Sequence, residues 1–245
     1  IIAIVAAELG KAVSKETKVD ILVTPLVTIF AGVGLSMLIA APIGAAASQV
    51  GTLIMWATEQ APLIMGILVS VIVGVALTLP ISSAAICAAL GLTGLAGGAA
   101  VAGCCAQMVG FAVMSYKENG VGGLVSQGLG TSMLQMGNII KNPRIWIAPT
   151  LASAITGPLA TCLFHFEMNG AAVSSGMGTC GLVGQIGVYT GWVSDIAAGT
   201  KAAITPMDWA AMVLLCFVLP AVLSVVFCAV ERKLGWIKEG DLKLN

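Results

Sequence analysis

Residues 209–230 read WAAMVLLCFVLPAVLSVVFCAV, a stretch without a charged side chain that is long enough to cross a lipid bilayer as a helix. Working outward from it, similar apolar stretches occupy residues 21–41, 62–79 and 145–164. Long unbroken apolar runs are typical of membrane-spanning helices. The sequence therefore predicts an all-α polytopic membrane protein with four crossings.

The composition of the whole chain supports this fold class. Of its 245 residues, 58% are apolar and 9% are charged, and the mean hydropathy is +1.03. Soluble domains are about 45–50% apolar and about 25% charged. The values exclude an ordinary soluble enzyme and a disordered chain. Because 11 basic residues are balanced by 11 acidic ones, a basic nucleic-acid-binding protein is excluded as well.

The two ends of the chain differ in character. The first residues, IIAIV, contain no Met and no signal-peptide pattern. We interpret residues 1–7 as the end of a hydrophobic helix that begins earlier, and residues 1–245 as a single membrane-embedded domain that is incomplete at its N-terminus. Residues 231–245 are charged and are expected to form a short cytoplasmic tail.

Two glycine-rich stretches interrupt the simple pattern of spans. Residues 80–116 are apolar but rich in Gly, and they predict two short helices that meet at a tip near Gly94–Gly98. Residues 165–208 form the second stretch, in which Gly recurs every third residue from 178 to 187. We interpret both as re-entrant hairpins, which meet near the midplane as in secondary transporters.

The connecting segments are expected to lie at the membrane interface. Pro42 and Gly44 are predicted to end the first span, and residues 45–60 to lie along the interface. Residues 117–144 are predicted to form an interfacial helix and loop, and the Gly157-Pro158 pair to break the third span. The seven Cys lie in apolar stretches without a CxxC pair, which is typical of buried, reduced thiols.

The distribution of Lys and Arg predicts the orientation. If the segment from Lys11 to Lys18 is cytoplasmic, four crossings return residues 231–245 to the cytoplasm and also place residues 117–144 there. Ten basic residues then lie inside and one, Lys201, lies outside.

Polar side chains at membrane depth are costly, so those near the spans are the candidate site residues. His165, Glu167 and Asn169 alternate, so in an extended segment all three would face one cavity, where their groups suit sugar hydroxyls. The alternative is an exposed loop at the membrane surface. The second glycine-rich stretch contains three further candidates: Ser175, Thr179 and Gln185. If that stretch is buried, these groups need partners, which are either protein or substrate.

Two further polar positions leave two interpretations open. Asn142, next to Pro143, either caps the third span or contributes to the binding site. The Ser82-Ser83 pair after Pro80 likewise either caps a helix or lines the site. Since the chain shows no phosphate-binding loop, HExxH or GxSxG motif, we predict no catalytic residue, metal or cofactor.

The sequence resembles the membrane-embedded IIC component of the bacterial sugar phosphotransferase system, most closely its fructose-type chains. Four stretches carry the resemblance: VDILVTPLVT (residues 19–28), IAAPI (39–43), LPISSAA (79–85) and NPRIWIAP (142–149). The last two fall where fructose-type chains have GGPVNKAA-like and DPLRVIPS-like sequences. The similarity extends over most of the chain.

The sequence also departs from the fructose-type pattern. Residues 131–138 read TSMLQMGN, where those chains have ITEGAIPF with a glutamate implicated in sugar binding. Their PHGG motif is also missing. In both respects the chain is similar to a divergent branch that includes proteins described as regulators of toxin expression.

The resemblance implies a permease of the inner membrane that binds and moves a small sugar-like solute. A separate cytoplasmic IIB protein would phosphorylate the solute, and the permease would be a homodimer, with small residues such as Gly32, Gly34 and Ser36 on the first span. The alternatives are a membrane sensor without phosphotransfer and an unrelated secondary transporter. A nucleic-acid partner is not expected.

Overall fold

The computed structural model describes residues 2–14 and 20–244, and its secondary structure is helical. The α-helices, in chain order, are α1 (Ile2–Val13), α2 (Asp20–Gln60), α3 (Pro62–Thr78), α4 (Ser83–Leu90), α5 (Gly94–Met114), α6 (Tyr116–Val125), α7 (Met136–Lys141), α8 (Ile147–Pro158), α9 (Val183–Ala197), α10 (Pro206–Val213) and α11 (Leu219–Lys233). Within the described residues, β-pairing is limited to an isolated bridge between Gly94 and Met168. The expected all-α class is confirmed.

The chain divides into two compact units, Ile1–Gln49 and Val50–Asn245. In the first unit α1 lies against α2, where Gly10 leaves room for the side chain of Thr28. Lys15, one of the residues used to orient the chain, lies outside the described residues.

The first predicted span does not end where the sequence suggested. α2 continues through Pro42 and Gly44 and reaches Gln60, so residues 45–60 are part of the same helix. An internal proline removes one backbone hydrogen bond and often kinks a helix, but membrane helices tolerate it. The expectation that Pro42 and Gly44 terminate the helix was therefore wrong.

Within residues 2–14 and 20–244, three helical segments are long and apolar enough to cross a membrane: Gly94–Met114, Pro143–Leu163 and Pro206–Lys233. The shorter helix Pro62–Thr78 matches the predicted second span closely. Segment Pro143–Leu163 combines a 3₁₀ turn, α8 and a π turn (Leu159–Leu163), so at Pro158 the helix changes type. Segment Pro206–Lys233 likewise joins α10 to α11 through a π turn, which lies just before Pro220.

Helix α5 is the centre of the second unit. It packs against α3, α8 and α11, and 94% of its most apolar stretch is buried. Several of its contacts require glycine. A Cβ on Gly103 would overlap the backbone of Ser70 in α3, and one on Gly98 would overlap the carbonyl of Phe166. Glycine at these positions therefore lets neighbouring backbones touch α5 directly.

The first glycine-rich stretch differs in part from its predicted form. A tight turn is present at residues 91–94, where Gly91 and Gly94 both have positive φ. It therefore lies just before most of the predicted tip at Gly94–Gly98. The first helix, α4, is short, whereas the second, α5, is long enough to cross the membrane. The expectation of two short helices was therefore wrong for the second one.

The second unit has two ends, which α5 and the segment Pro143–Leu163 connect. One end, which we call the tail face, consists of residues 115–144 and 234–244. The opposite end, which we call the strand face, consists of residues 161–170 and 198–208. A 21-residue helix such as Gly94–Met114 spans about 30 Å, so the two faces are separated by roughly the thickness of a bilayer core.

The glycine contacts give a prediction about stability. Replacing Gly103 with Ala should lower the free energy of unfolding by about 1–3 kcal/mol, because the added methyl group would overlap the Ser70 backbone. The matched control is Gly137→Ala in α7, where nothing lies within 4 Å of the Cβ position. Thermal unfolding of the purified protein in detergent measures both. Equal midpoints for Gly103→Ala and Gly137→Ala would contradict the packing of α3 on α5.

Candidate functional site

An extended segment on the strand face presents alternate side chains to opposite sides, as the sequence predicted. His165 and Glu167 are exposed, whereas Phe166 and Met168 are buried in the core. Met168 is paired with Gly94, each donating its N–H to the other's carbonyl at 3.0 Å. The segment is thereby fixed to the first turn of α5.

His165 begins this segment in an unusual backbone conformation. Its φ of 42° lies in the left-handed region, which side chains with a Cβ seldom adopt. The turn follows directly after the π turn Leu159–Leu163 and reverses the chain toward α5. The reversal brings His165 and the residues after it over the end of the helix bundle.

A single amide group holds two carboxylates side by side. The Nδ2 atom of Asn169 donates to Oε2 of Glu167 at 3.0 Å and to Oδ2 of Asp195 at 2.9 Å. Asp195 belongs to the last turn of α9, so the amide connects the extended segment to that helix. Both amide hydrogens are used in this way, which fixes the spacing between the two acids.

The opposite wall carries an ion pair. Nζ of Lys201 lies 2.8 Å from Oδ1 of Asp208 and 5.7 Å from the ring centroid of Trp192. The second oxygen of Asp208 accepts from the N–H and hydroxyl of Thr205, while the Thr205 hydroxyl accepts from the N–H of Asp208. This capping box begins α10 and holds the carboxylate in place. The lysine is thereby positioned over the aromatic ring.

These walls enclose a cavity of about 590 Å³. Its lining includes His165, Glu167, Asn169, Asp195 and Lys201. Trp192 is buried in the floor, and its ring meets that of Trp209 edge-on at 5.6 Å. The volume lies in the range of about 300–1,000 Å³ that small-molecule sites occupy. Mixed acids, an amide, an ammonium and an indole suit a small solute with many hydroxyl groups.

The lining of the cavity includes residues that the sequence alone did not indicate. Asp195, Trp192 and Asp208 were not singled out, and Lys201 was used only as a charge that marks the outer side. One signal was available, because Thr205-Pro206-Met207-Asp208 has the spacing of a capping box at a helix start. Among the described residues, no group of three His, Cys, Asp or Glu side chains is arranged to hold a metal ion.

Ser175, Thr179 and Gln185 do not line this cavity. The Ser175 hydroxyl donates to the carbonyl of Leu92 at 3.0 Å, and the Thr179 hydroxyl donates to the carbonyl of Gly128. The Nε2 atom of Gln185 contacts the sulfur of Cys105 at 3.2 Å. All three are buried where the second glycine-rich stretch packs on the rest of the unit, so their partners here are protein groups.

The Oε1 atom of Gln185 is the exception in that set. It is buried and has no hydrogen-bond partner among the described residues. The backbone around it is closely packed, since Cβ atoms on Gly184 and Gly187 would overlap Gly178 and Ser174. The predicted glycine stripe thus does serve close packing, although Gly178 and Gly181 adopt positive φ before α9 begins.

The two serines after Pro80 have different roles, and both are bonded to protein groups. The Ser82 hydroxyl caps α4 by accepting from the N–H of Ala85 at 3.1 Å. The Ser83 hydroxyl donates to the carbonyl of Gly176 at 2.7 Å, which ties α4 to the second glycine-rich stretch. The two stretches therefore meet, and their polar groups there are bonded to each other.

Asn142 lies on the tail face, at the opposite end from the cavity. Its Nδ2 atom donates to the carbonyl of Trp236 and to Oδ2 of Asp241, both at 2.9 Å, and its Oδ1 accepts from the N–H of Arg144. It therefore caps the following turn, as one interpretation proposed, and it also holds the C-terminal segment.

Further amides hold the same C-terminal segment by its main chain. Asn119 and Gln135 donate to the carbonyl of Leu242 at 2.8 and 3.0 Å, and Asn138 donates to that of Lys243 at 2.9 Å. The side chains of Ile237 and Leu242 are buried beneath. The predicted tail is therefore packed against residues 115–144 along most of its length.

The fold and the cavity together define a class: a helical protein with membrane-spanning segments and a polar cavity at one end of the helix bundle. The family model described as "Phosphotransferase system, EIIC" matches residues 1–244 of this chain. The chain belongs to that family, whose members are membrane-integral sugar permeases of the phosphotransferase system. No curated protein and no solved structure shows a significant match.

The position of Asn142 predicts a local effect of its removal. Asn142→Ala should raise the hydrogen-exchange rate of residues 236–244 by about five- to ten-fold, because two hydrogen bonds to the tail are lost. Mass spectrometry of deuterated peptides measures this. Asn169→Ala, which removes an amide at the opposite end, is the control and should leave tail exchange unchanged. Unaltered exchange in Asn142→Ala would contradict the tail contact.

Proposed function

We propose that the cavity on the strand face is the solute-binding site of a sugar permease. The observation that carries the proposal is the agreement between sequence and geometry. His165, Glu167 and Asn169 were selected as one polar row, and they line a cavity whose opposite wall holds Lys201 and Asp208. A site assembled from an extended segment, α9 and the start of α10 draws on three separate parts of the chain.

The chemistry of the walls suits an uncharged polyhydroxylated solute. Carboxylate oxygens of Glu167 and Asp195 accept hydrogen bonds from hydroxyl groups, and the ammonium of Lys201 donates them. Hydrogen bonds to charged groups contribute about 1.5–3 kcal/mol each. The indole of Trp192 offers an apolar surface for the ring carbons of a sugar. These features favour sugar binding over the binding of an apolar compound.

The lengths of the helices bear on which elements cross the membrane. α4 has eight residues and a length of about 12 Å, too short to cross a bilayer, and it meets the turn Ala172–Gly176 within the unit. We propose that α4 and the second glycine-rich stretch are re-entrant, whereas α5 crosses the membrane. The homodimer remains a prediction, and Gly34, with open space at its Cβ position, marks the face of α2 on which it would form.

The proposed coupling to phosphorylation requires a partner on the tail face. Exposed basic residues lie on that face or next to it at the end of α11: Lys117, Lys141, Arg144, Lys233, Lys238 and Lys243. Lys201 alone among the described Lys and Arg residues lines the cavity. By the positive-inside rule the tail face is cytoplasmic, so the cavity is open to the outside and a IIB protein would act from the other end.

The binding site predicts the effect of three substitutions. Glu167→Gln, Asp195→Asn and Asn169→Ala should each weaken solute binding by about 1.5–3 kcal/mol, because each removes or misplaces a hydrogen bond to a charged group. A scintillation proximity assay on the purified protein first identifies the ligand among radiolabelled glucose, fructose, mannitol, galactitol and N-acetylglucosamine. The same assay then compares the affinity of the three variants for that ligand. Uptake of the bound sugar into cells then separates a permease from a sensor.

Glu239→Gln provides the matched control, since Glu239 is an exposed acid on the tail face. It should bind the solute as the unaltered protein does. The proposal fails if the three cavity variants retain full affinity, in which case the packed region around Ser175 and Gln185 becomes the next candidate.

The orientation gives a prediction that does not depend on a ligand. In a Cys-less background, Lys141→Cys and Lys238→Cys should react with a membrane-impermeant maleimide only from the cytoplasmic side, and Lys201→Cys only from outside. Labelling of intact cells and of inverted vesicles makes the comparison. Reaction of the Lys141 and Lys201 positions from one side would contradict the proposed orientation.

A further inference from the structure

A second, smaller cavity lies between the C-terminal ends of α5 and α11. Its volume is about 120 Å³, and it is lined by Met114 on one side and by Val225 and Ala229 on the other, with Lys117 and Arg232 at its end. It lies at the tail face, about the length of a transmembrane helix from the sugar-binding cavity. It is too small for a complete ligand of ordinary size, which occupies about 300 Å³ or more.

The charged groups at the end of this cavity are unevenly exposed. Nη2 of Arg232 lies 2.6 Å from Oε1 of Glu118, whose side chain is only 9% exposed. Lys117 is exposed, and the neighbouring acid Glu231 is buried. The two acids are therefore the less exposed groups, whereas Lys117 is exposed and the side chain of Arg232 is 23% exposed. A guanidinium has five N–H donors, so one bond to Glu118 leaves others available.

The other end of the cavity opens onto an apolar helix surface. Val222, Val225 and Val226 of α11 are exposed, and only 28% of the most apolar stretch of Pro206–Lys233 is buried. In a membrane protein such a surface contacts acyl chains. The cavity thus joins a hydrocarbon-facing surface to a pair of cations within a short distance.

We propose that this cavity binds an anionic phospholipid, with its phosphate at Lys117 and Arg232 and an acyl chain along Val225 and Ala229. The arrangement matches a molecule that is charged at one end and apolar at the other. Basic pockets between membrane helices at the cytoplasmic side are a known setting for anionic head groups. The small volume is no obstacle, because a lipid places only its glycerol and phosphate region in the cavity while the rest lies along the helix.

Free phosphate is the other source of the same charge, and the apolar wall distinguishes the two. The affinity of an inorganic anion does not depend on Val225 and Ala229, whereas a lipid contacts both the basic and the apolar end of the cavity. Two substitutions therefore test the two ends separately. Lys117→Met removes one charge and keeps the apolar stem, without touching the pair between Arg232 and Glu118. Ala229→Leu fills the apolar side from an exposed helix position.

The experiment measures lipid retention by native mass spectrometry of the full chain released from detergent micelles. The probes are phosphatidylglycerol and phosphatidylcholine with identical acyl chains. We expect the unaltered protein to retain phosphatidylglycerol more tightly than phosphatidylcholine. Lys117→Met should weaken phosphatidylglycerol binding about five-fold, the effect of about 1 kcal/mol for one basic residue near a membrane surface. Ala229→Leu should weaken both lipids.

The matched control is Lys141→Met, which removes an exposed lysine from the same face but outside the cavity. It should leave phosphatidylglycerol binding unchanged. An equal loss in Lys141→Met and Lys117→Met would overturn the proposal, since it would show attraction by the whole face. Equal retention of the two lipids, or full retention in Ala229→Leu, would also overturn it. Displacement of phosphatidylglycerol by millimolar inorganic phosphate would assign the site to the free anion.

Discussion

The surface of α5 can be covered on all sides only because glycine lets neighbouring backbones touch it. In a membrane, helices gain little from the hydrophobic effect against one another, and close contact supplies the attraction instead. Gly74 of α3 meets Gly103 of α5, Gly103 meets Ser70, and Gly157 of α8 meets Ser70 as well. The cavity on the strand face depends on the same constraint, since Gly98 admits the backbone of Phe166 next to His165 and Glu167.

Polar groups inside the bundle are bonded in sets that join helices from distant parts of the chain. Gln107 of α5 accepts from the indole of Trp146 at 3.0 Å and from the hydroxyl of Thr78 at 3.3 Å, and it donates to Thr150 and Ser153. A buried amide left without partners would cost about 1–3 kcal/mol. Satisfied in this way, the cluster fixes the rotation of α3, α5 and α8 about their axes instead of serving the solute.

The helical class and the positions of most spans could be predicted from the sequence, because a bilayer imposes a length and a polarity that composition reveals directly. The continuous course of α2 could not, since whether Pro42 ends or kinks a helix depends on what packs around it. The row from His165 to Asn169 was predictable from its period of two once an extended segment was assumed. The hydrogen bond to Asp195 was not predictable, because it depends on tertiary packing that brings Gly187 and Gly191 of α9 against Gly170 and Asn169.

The polar residues that the sequence indicates as candidates differ in their partners for a related reason. Side-chain type indicates that a group needs a hydrogen bond, but it does not indicate whether the partner is solute or protein. Ser175 and Thr179 are bonded to main-chain carbonyls of Leu92 and Gly128, and Asn142 to that of Trp236. Their roles in binding remain predictions, whereas their contacts within the protein are defined.

The amide of Asn169 has a mechanical consequence for the cavity. Because its two hydrogens are shared between Glu167 and Asp195, a force applied to either acid is transmitted to the other. Glu167 lies on a segment paired to α5, and Asp195 lies on α9. The amide therefore joins these two elements, in addition to the close backbone contact of Gly191 with Asn169 and Gly170. Displacement of either acid would break a hydrogen bond of the same amide, so the two acidic sides of the cavity are positioned together.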